Sequence, residues 1–144
     1  MTYRLLGMRV DETSYAEATE LARTWARRGE SRYICCASVN NVMEAFDSAA
    51  FRDITNAADL VTPDGMPLVW GLRRLGARAA TRVYGPDLMA RVLAMAAREN
   101  IPTGFYGAGA ATLGRLLRTV RTRFPALPVA YACAPPFRPL QPEE

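Results

Sequence analysis

The strongest constraint in this chain is an alternation. Short apolar runs at Tyr33–Val39, Ala58–Thr62, Pro102–Tyr106 and Leu127–Cys133 are separated by longer stretches whose apolar residues recur at helical spacing. A strand buried on both faces reads as a continuous apolar run, and parallel strands need helical crossovers between them. The pattern therefore specifies βαβ units: an α/β fold with a mainly parallel sheet and helices on both faces. Ligands of such sheets gather outside the carboxyl ends of the strands.

Local signals agree with that pattern. Tyr3–Val10 alternates loosely, as a first strand or hairpin arm would. Ser14 with Glu17 three residues later is a capping box, and Ala18, Leu21, Ala22 and Trp25 follow at helical spacing up to the stop at Arg27-Arg28-Gly29. Asn40-Asn41 leads into Val42–Phe46, with Asn40 the expected helix cap. A second helix from Asp47 is expected to turn Phe51 and Ile54 inward. Met66–Leu75 reads as a helix closing at Gly76. Gly85-Pro86-Asp87 opens another, whose apolar face is Leu88, Met89, Val92, Leu93 and Ala96. Ala110–Arg123 is a helix with Leu113, Leu116, Leu117 and Val120 inward. The prolines of Pro135-Pro136-Phe137-Arg138-Pro139 forbid regular structure after the last strand.

Length and composition narrow the chemistry. With 144 residues, half of them apolar, one domain over residues 1–144 is expected. Histidine is absent, which removes the commonest general base, Ser-His-Asp and Cys-His machinery and most zinc sites. Acid–base work must then come from Asp, Glu, Tyr or Cys. The three cysteines, Cys35, Cys36 and Cys133, show no metal spacing and are expected to be reduced thiols. No pair of carboxylates at Asp-x-Asp spacing suggests a divalent metal, and no cofactor is indicated. The net charge of +4 comes entirely from scattered arginines, which suggests an anionic ligand or surface and does not point to nucleic acid. No apolar run approaches the ~18–20 residues that span a bilayer.

Asp64 is the leading candidate for chemistry. It follows the strand run Ala58–Thr62 and lies in Thr62-Pro63-Asp64-Gly65, between two apolar segments. Pro-Asp-Gly is also a common turn. A carboxylate at a strand's carboxyl end, partly withdrawn from water, is the type of group that serves as a general base. Ser38, Asn40 and Asn41 offer hydroxyl and amide groups at the end of the preceding strand. Arg82 precedes the Gly85-Pro86-Asp87 helix start and is placed to reach a phosphate, against the default of a solvated arginine. Gly107-Ala108-Gly109 follows a strand and opens a helix, as phosphate-cradling turns do, although a plain tight turn is at least as good a reading. Cys35 and Cys36 are expected to pack within their strand, and Arg73-Arg74 to form a solvated helix face.

In combination these segments resemble a known family. Residues 56–73 (NAADLVTPDGMPLVWGLR), then 81–89 (TRVYGPDLM), then a strand–Gly–helix unit ending in 123–137 (RFPALPVAYACAPPF) resemble the WecG/TagA/CpsF glycosyltransferases, from about Leu6 to the end of the chain. The resemblance implies a Rossmann-like core that works without a metal. It implies transfer of an N-acetylmannosamine-type or related hexose from a UDP-sugar donor to a polyprenyl-diphosphate-linked saccharide acceptor. Such transfers build bacterial teichoic acid linkages, enterobacterial common antigen or exopolysaccharide at the cytoplasmic face of the plasma membrane. Asp64 matches the family's proposed catalytic base, and Arg82 and Asp87 match its Arg-Val-x-Gly-x-Asp block. The family's Thr-x-Asn segment aligns near Cys36 and Ser38, or near Ser38 and Asn40, without its threonine. Substrate contacts are thereby implied for Ser38, Asn40, Arg82 and Asp87, beside the Gly107 and Gly109 turn.

Family members continue past the Pro-Pro-Phe segment with a further strand or two, a Gly-x-Pro-x-Gln-Glu motif and a basic appendage that gives peripheral membrane association. A chain stopping at Glu144 is therefore expected to be a fragment or a degenerate member. Its sheet would be incomplete at the C-terminus with an unpaired edge, and transfer by the 144-residue form is not implied. Self-association into a homo-oligomer is compatible with this reading. A different class also fits the residues: a non-catalytic α/β module that binds a nucleotide or a partner subunit. A dinucleotide dehydrogenase fits less well, because Thr112 replaces the third glycine and no acid follows about 20 residues on.

Overall fold

The computed structural model describes residues 1–138. It divides into two compact units, Met1–Val92 and Leu93–Glu144.

The first unit begins with a hairpin. Strands β1 (Thr2–Leu5) and β2 (Met8–Asp11) pair antiparallel across Leu6-Gly7, whose φ values are 48° and 87°. Two successive positive φ angles give a turn whose twist matches that of the strands, and Gly7 adopts its angle without steric cost. Helix α1 (Tyr15–Arg28) has the expected capping box: Glu17 N–H donates to the Ser14 hydroxyl, and Ser14 N–H donates to the Glu17 carboxylate. It stops at Gly29, in the left-handed conformation, with Glu30 N–H donating to the Trp25 carbonyl at 2.9 Å.

Strand β3 (Ile34–Ala37) pairs parallel with β4 (Leu60–Pro63), Ile34 opposite Leu60 and Ala37 opposite Pro63. Every residue of β4 is buried. Side chains alternate across a strand. Leu60 accordingly joins Ala18, Val83 and Leu88 on one side, while Val61 joins Met8, Val42, Leu68 and Leu72 on the other. Helices thus cover both faces of β4, which is the layered α/β arrangement the alternation implies.

Between β3 and β4 the chain differs from expectation. The strand ends at Ala37 rather than Val39, and helix α2 (Val39–Asp47) begins directly, followed by α3 (Ala49–Asn56). Ser38, not Asn40, is the N-cap of α2: its N–H and hydroxyl both donate to Asn41 Oδ1, at 2.8 and 2.9 Å. Ser48 ends α2 and caps α3, its hydroxyl accepting from Phe51 N–H at 3.2 Å. Starting α3 there puts Phe51 and Thr55, four residues apart, toward the core, and Ile54 falls off that stripe at 64% exposure.

Helix α4 (Met66–Arg74) starts at Gly65 with Pro67 in its first turn, where a missing N–H costs nothing. Helix α5 (Gly85–Glu99) buries Leu88, Leu93, Met95 and Ala96, whereas Met89, expected inward, is exposed. The second unit holds β5 (Thr103–Tyr106), α6 (Ala110–Arg123) and β6 (Val129–Cys133), with β5 and β6 parallel. Its core is Leu93, Ala96, Phe105, Leu113, Val120 and Leu127, with Leu116 and Leu117 packed against it. The proline-rich tail lacks regular structure through Arg138, and Pro139 lies outside the described residues.

Candidate active site

The parallel pairing of β3 and β4 delivers two segments to the same end of the sheet. Asp64 N–H donates to the Ala37 carbonyl at 2.9 Å, carrying the pairing one step past the strand ends. Ser38 and Gly65 face each other there, the Ser38 Cα lying 4.0 Å from the point a Cβ on Gly65 would occupy.

A third segment, residues 81–85, runs along the other side of β4. Val83 N–H donates to the Pro63 carbonyl at 3.0 Å, and the fully buried Thr62 hydroxyl donates to the Val83 carbonyl at 3.2 Å. This segment brings Arg82 and Gly85 to Asp64. Gly85 N–H donates to Asp64 Oδ2 at 2.9 Å. Arg82 Nη2 lies 3.7 Å from Asp64 Oδ1, and Arg82 Nε donates to the Asp64 backbone carbonyl. The Arg82 guanidinium is also stacked on the Tyr84 ring, 4.5 Å from its centroid.

The Asp64 side chain is 19% exposed and that of Arg82 45%. Gly85 is the first residue of α5, so Asp64 Oδ2 takes one of the helix's free N–H groups and lies at the positive end of its dipole. A carboxylate has about four lone-pair sites. With one contact to each oxygen, Asp64 is oriented and keeps lone pairs to accept a hydrogen bond from a hydroxyl. Arg82 adds a cation beside it that is exposed enough to meet an anionic ligand.

Gly85 has a steric reason to be glycine. A Cβ there would stand 3.3 Å from Cys36 Cβ and 3.4 Å from both Cys36 Sγ and Asp64 Oδ2. Cys36 is therefore not the packed strand residue expected from sequence. It is exposed and borders the Asp64 site, while Cys35 is partly buried against the core. Burial, and then the neighbouring Cys36, raise the Cys35 thiol above its ordinary pKa. A mainly apolar hollow of about 280 Å³ opens beside the two, lined among others by Ala37, Asn41, Phe51 and Thr55. A second hollow of about 490 Å³, lined by Asp11, Glu12, Glu17 and Asp59 among others, includes none of Ser38, Asp64, Arg82 and Asp87.

Among the sequence candidates, Ser38, Asp64 and Arg82 meet at the ends of β3 and β4. Asn40 is exposed in the first turn of α2. Asp87 is in the first turn of α5, but its carboxylate accepts from the Tyr15 hydroxyl at 3.3 Å. Gly107 and Gly109 belong to the second unit. Gly107 has φ of 119°, which favours glycine, whereas Gly109, the N-cap of α6, has an extended backbone open to any residue. Sequence reasoning missed Tyr15, Cys36 and the Gly85 N–H. Gly85 was visible within the Arg82–Asp87 block, but nothing local marks Tyr15. Among the described residues no group of three or more His, Cys, Asp or Glu is placed to hold a metal ion.

Residues 3–144 match the glycosyl transferase WecG/TagA/CpsF family. The chain belongs to this family. A curated relative from Bacillus spizizenii (strain ATCC 23059 / NRRL B-14472 / W23) is 24% identical over 121 residues, covering 84% of this chain. It is named N-acetylglucosaminyldiphosphoundecaprenol N-acetyl-beta-D-mannosaminyltransferase. The chain spans about half of that relative's length, 47%. Among the described residues, no helix is long and apolar enough to cross a membrane.

Proposed function

We propose that this protein takes part in hexosyl transfer. An N-acetylmannosamine-type sugar would pass from a UDP-sugar to a saccharide on a polyprenyl diphosphate, at the inner face of the plasma membrane. The observation that carries the reading is Asp64, held by the Gly85 N–H beside Arg82 at the carboxyl ends of β3 and β4, within the family match. The relative's name, which joins a mannosaminyl donor group to an undecaprenol-diphosphate acceptor, supports the substrate class.

In this reading the acceptor hydroxyl oxygen attacks the anomeric carbon. The new glycosidic C–O bond forms as the bond from that carbon to the diphosphate oxygen breaks. The hydroxyl proton passes to Asp64, and the electron pair leaves with UDP. Arg82 stabilises the charge that develops on the diphosphate, a role open to an exposed guanidinium and needing no metal. Ser38, Asn40 and Asp87 are proposed sugar or diphosphate contacts, and the Gly107-Gly109 turn is a proposed anion contact on its own unit.

Asp64→Asn is the direct test, because asparagine keeps an oxygen for the Gly85 N–H and removes the base. Sugar transfer to a lipid-diphosphate acceptor is expected to fall by about 10²–10⁴-fold, with UDP affinity by calorimetry within about twofold. Unchanged turnover would remove Asp64 from the role. UDP binding by a wild-type chain that transfers no sugar would favour the non-catalytic nucleotide-binding module.

A further inference from the structure

Tyr15 opens α1, 69 positions before Tyr84 and 72 before Asp87. Its ring packs against the cluster that includes Val83 and Leu88, and the Arg91 guanidinium lies 4.5 Å from its centroid. A phenylalanine would meet both of those demands. The hydroxyl does something else: it accepts from Tyr84 N–H at 3.0 Å and donates to Asp87 Oδ2 at 3.3 Å.

Those bonds have a direction. The phenolic proton is committed to Asp87, which leaves an oxygen lone pair for the Tyr84 peptide. The next peptide N–H along the chain is that of Gly85, which holds Asp64 Oδ2. Two consecutive N–H groups are thus anchored on different elements, one on α1 and one on the turn after β4. The start of this segment is tied to the same part of the chain, since the Thr81 hydroxyl donates to the Thr13 carbonyl at 3.4 Å. Only the φ and ψ of Tyr84 separate the two peptide planes, so fixing the Tyr84 N–H leaves those two torsions alone to orient the Gly85 N–H.

We infer that Tyr15 is a positioning residue for the Asp64 site. Asp87 orients its hydroxyl, the hydroxyl holds the Tyr84 peptide, and that peptide sets Gly85 N–H and Arg82 against Asp64. The link to turnover rests on the proposed base role of Asp64; the link to geometry does not. Asp87, in this arrangement, orients Tyr15 through Oδ2 in addition to the substrate contact proposed above.

The test is amide exchange and ¹⁵N–¹H spectroscopy on the full chain. In Tyr15→Phe the Gly85 amide is expected to exchange about tenfold faster and its resonance to shift, with the core amides of Val61 and Val69 unchanged. Asp87→Ala should reproduce the Gly85 effect, and Asp87→Asn, which keeps an oxygen acceptor, should largely restore it. The Tyr15→Phe and Asp87→Ala pair should be non-additive. Faster exchange confined to Tyr84, or effects that simply add, would overturn the inference. Should Tyr15→Phe fail to fold, the two Asp87 variants decide the question alone. In sugar transfer, Tyr15→Phe is expected to lower kcat about tenfold with KM for the UDP-sugar within twofold. A change in KM alone would count against positioning. Absence of transfer by the wild-type chain would overturn the functional reading only, and the Gly85 exchange would still decide the role of Tyr15.

Discussion

Cys35 and Cys36 are identical in kind and adjacent in sequence, yet the fold gives them different chemistry. Cys35 packs against the core and its thiol is pushed up in pKa, whereas Cys36 is exposed next to Gly85 and Asp64. The thiolate is the reacting form, so Cys36 is expected to be alkylated well before Cys35, by about tenfold or more in rate. Peptide mass spectrometry after timed iodoacetamide labelling reads this directly, and equal rates would contradict the exposure difference. The place of Asp64 at the end of a buried strand was legible from sequence, because the apolar run Ala58–Thr62 leads directly into Pro63-Asp64-Gly65. Arg82 was a candidate as well, but its contact with Asp64 and that of the Gly85 N–H were not legible. Gly85 and Arg82 come from a segment about twenty positions downstream, and only the pairing of Val83 with Pro63 brings them into reach.

Among the elements, those with strong local punctuation were read correctly. α1 has its capping box and glycine stop, and β4 its buried apolar run. The region after β3 was misread because Ser38, Asn40 and Asn41 are all competent caps, and local sequence does not rank them. The tertiary position of Ala37, bonded to Asp64 N–H, ends the strand and leaves Ser38 as the residue at the helix start. Ser38→Ala removes the hydroxyl bond to Asn41 Oδ1 and is expected to cost about 1 kcal/mol of stability by urea denaturation. A Ser38→Ala chain as stable as wild type would show that the hydroxyl serves no structural purpose in α2. Ile54 and Met89 failed as core residues for a related reason. A helix's inward stripe depends on where it starts and what it packs on, and a shift of one residue turns a side chain by about 100°.

At the scale of the molecule, charge links the start of β3 to the start of β4. Asp59 accepts from Tyr33 N–H at 3.0 Å through one oxygen and meets Arg32 Nη1 at 2.7 Å through the other. The Tyr33 N–H first, and then Arg32, hold its carboxyl below the ordinary range. A depressed folded pKa contributes stability above the unfolded value of about 3.9, and that contribution is lost as pH falls through the folded value. Asp59→Asn is therefore expected to lower Tm at pH 7, with the gap to wild type closing as the pH drops below about 4. A gap that stays constant from pH 7 to pH 3 would exclude the ionised pair as its source.

What the sequence determined by itself is the class of fold and the place of Asp64 at the end of β4. Apolar runs alternating with helical periods admit few arrangements other than βαβ layers, because each strand and helix face must be covered. The Pro-Asp-Gly turn then places Asp64 at a strand end in any of them. Tertiary structure alone decided which groups face that acid. Cys36, Arg82 and Gly85 are brought to Asp64 by the pairing of β3 with β4 and of Val83 with Pro63. Tyr15 reaches the Tyr84 peptide and Asp87 through hydrogen bonds spanning up to 72 positions. Local sequence carries no signal for contacts of that range, because they exist only once the strands between them have paired.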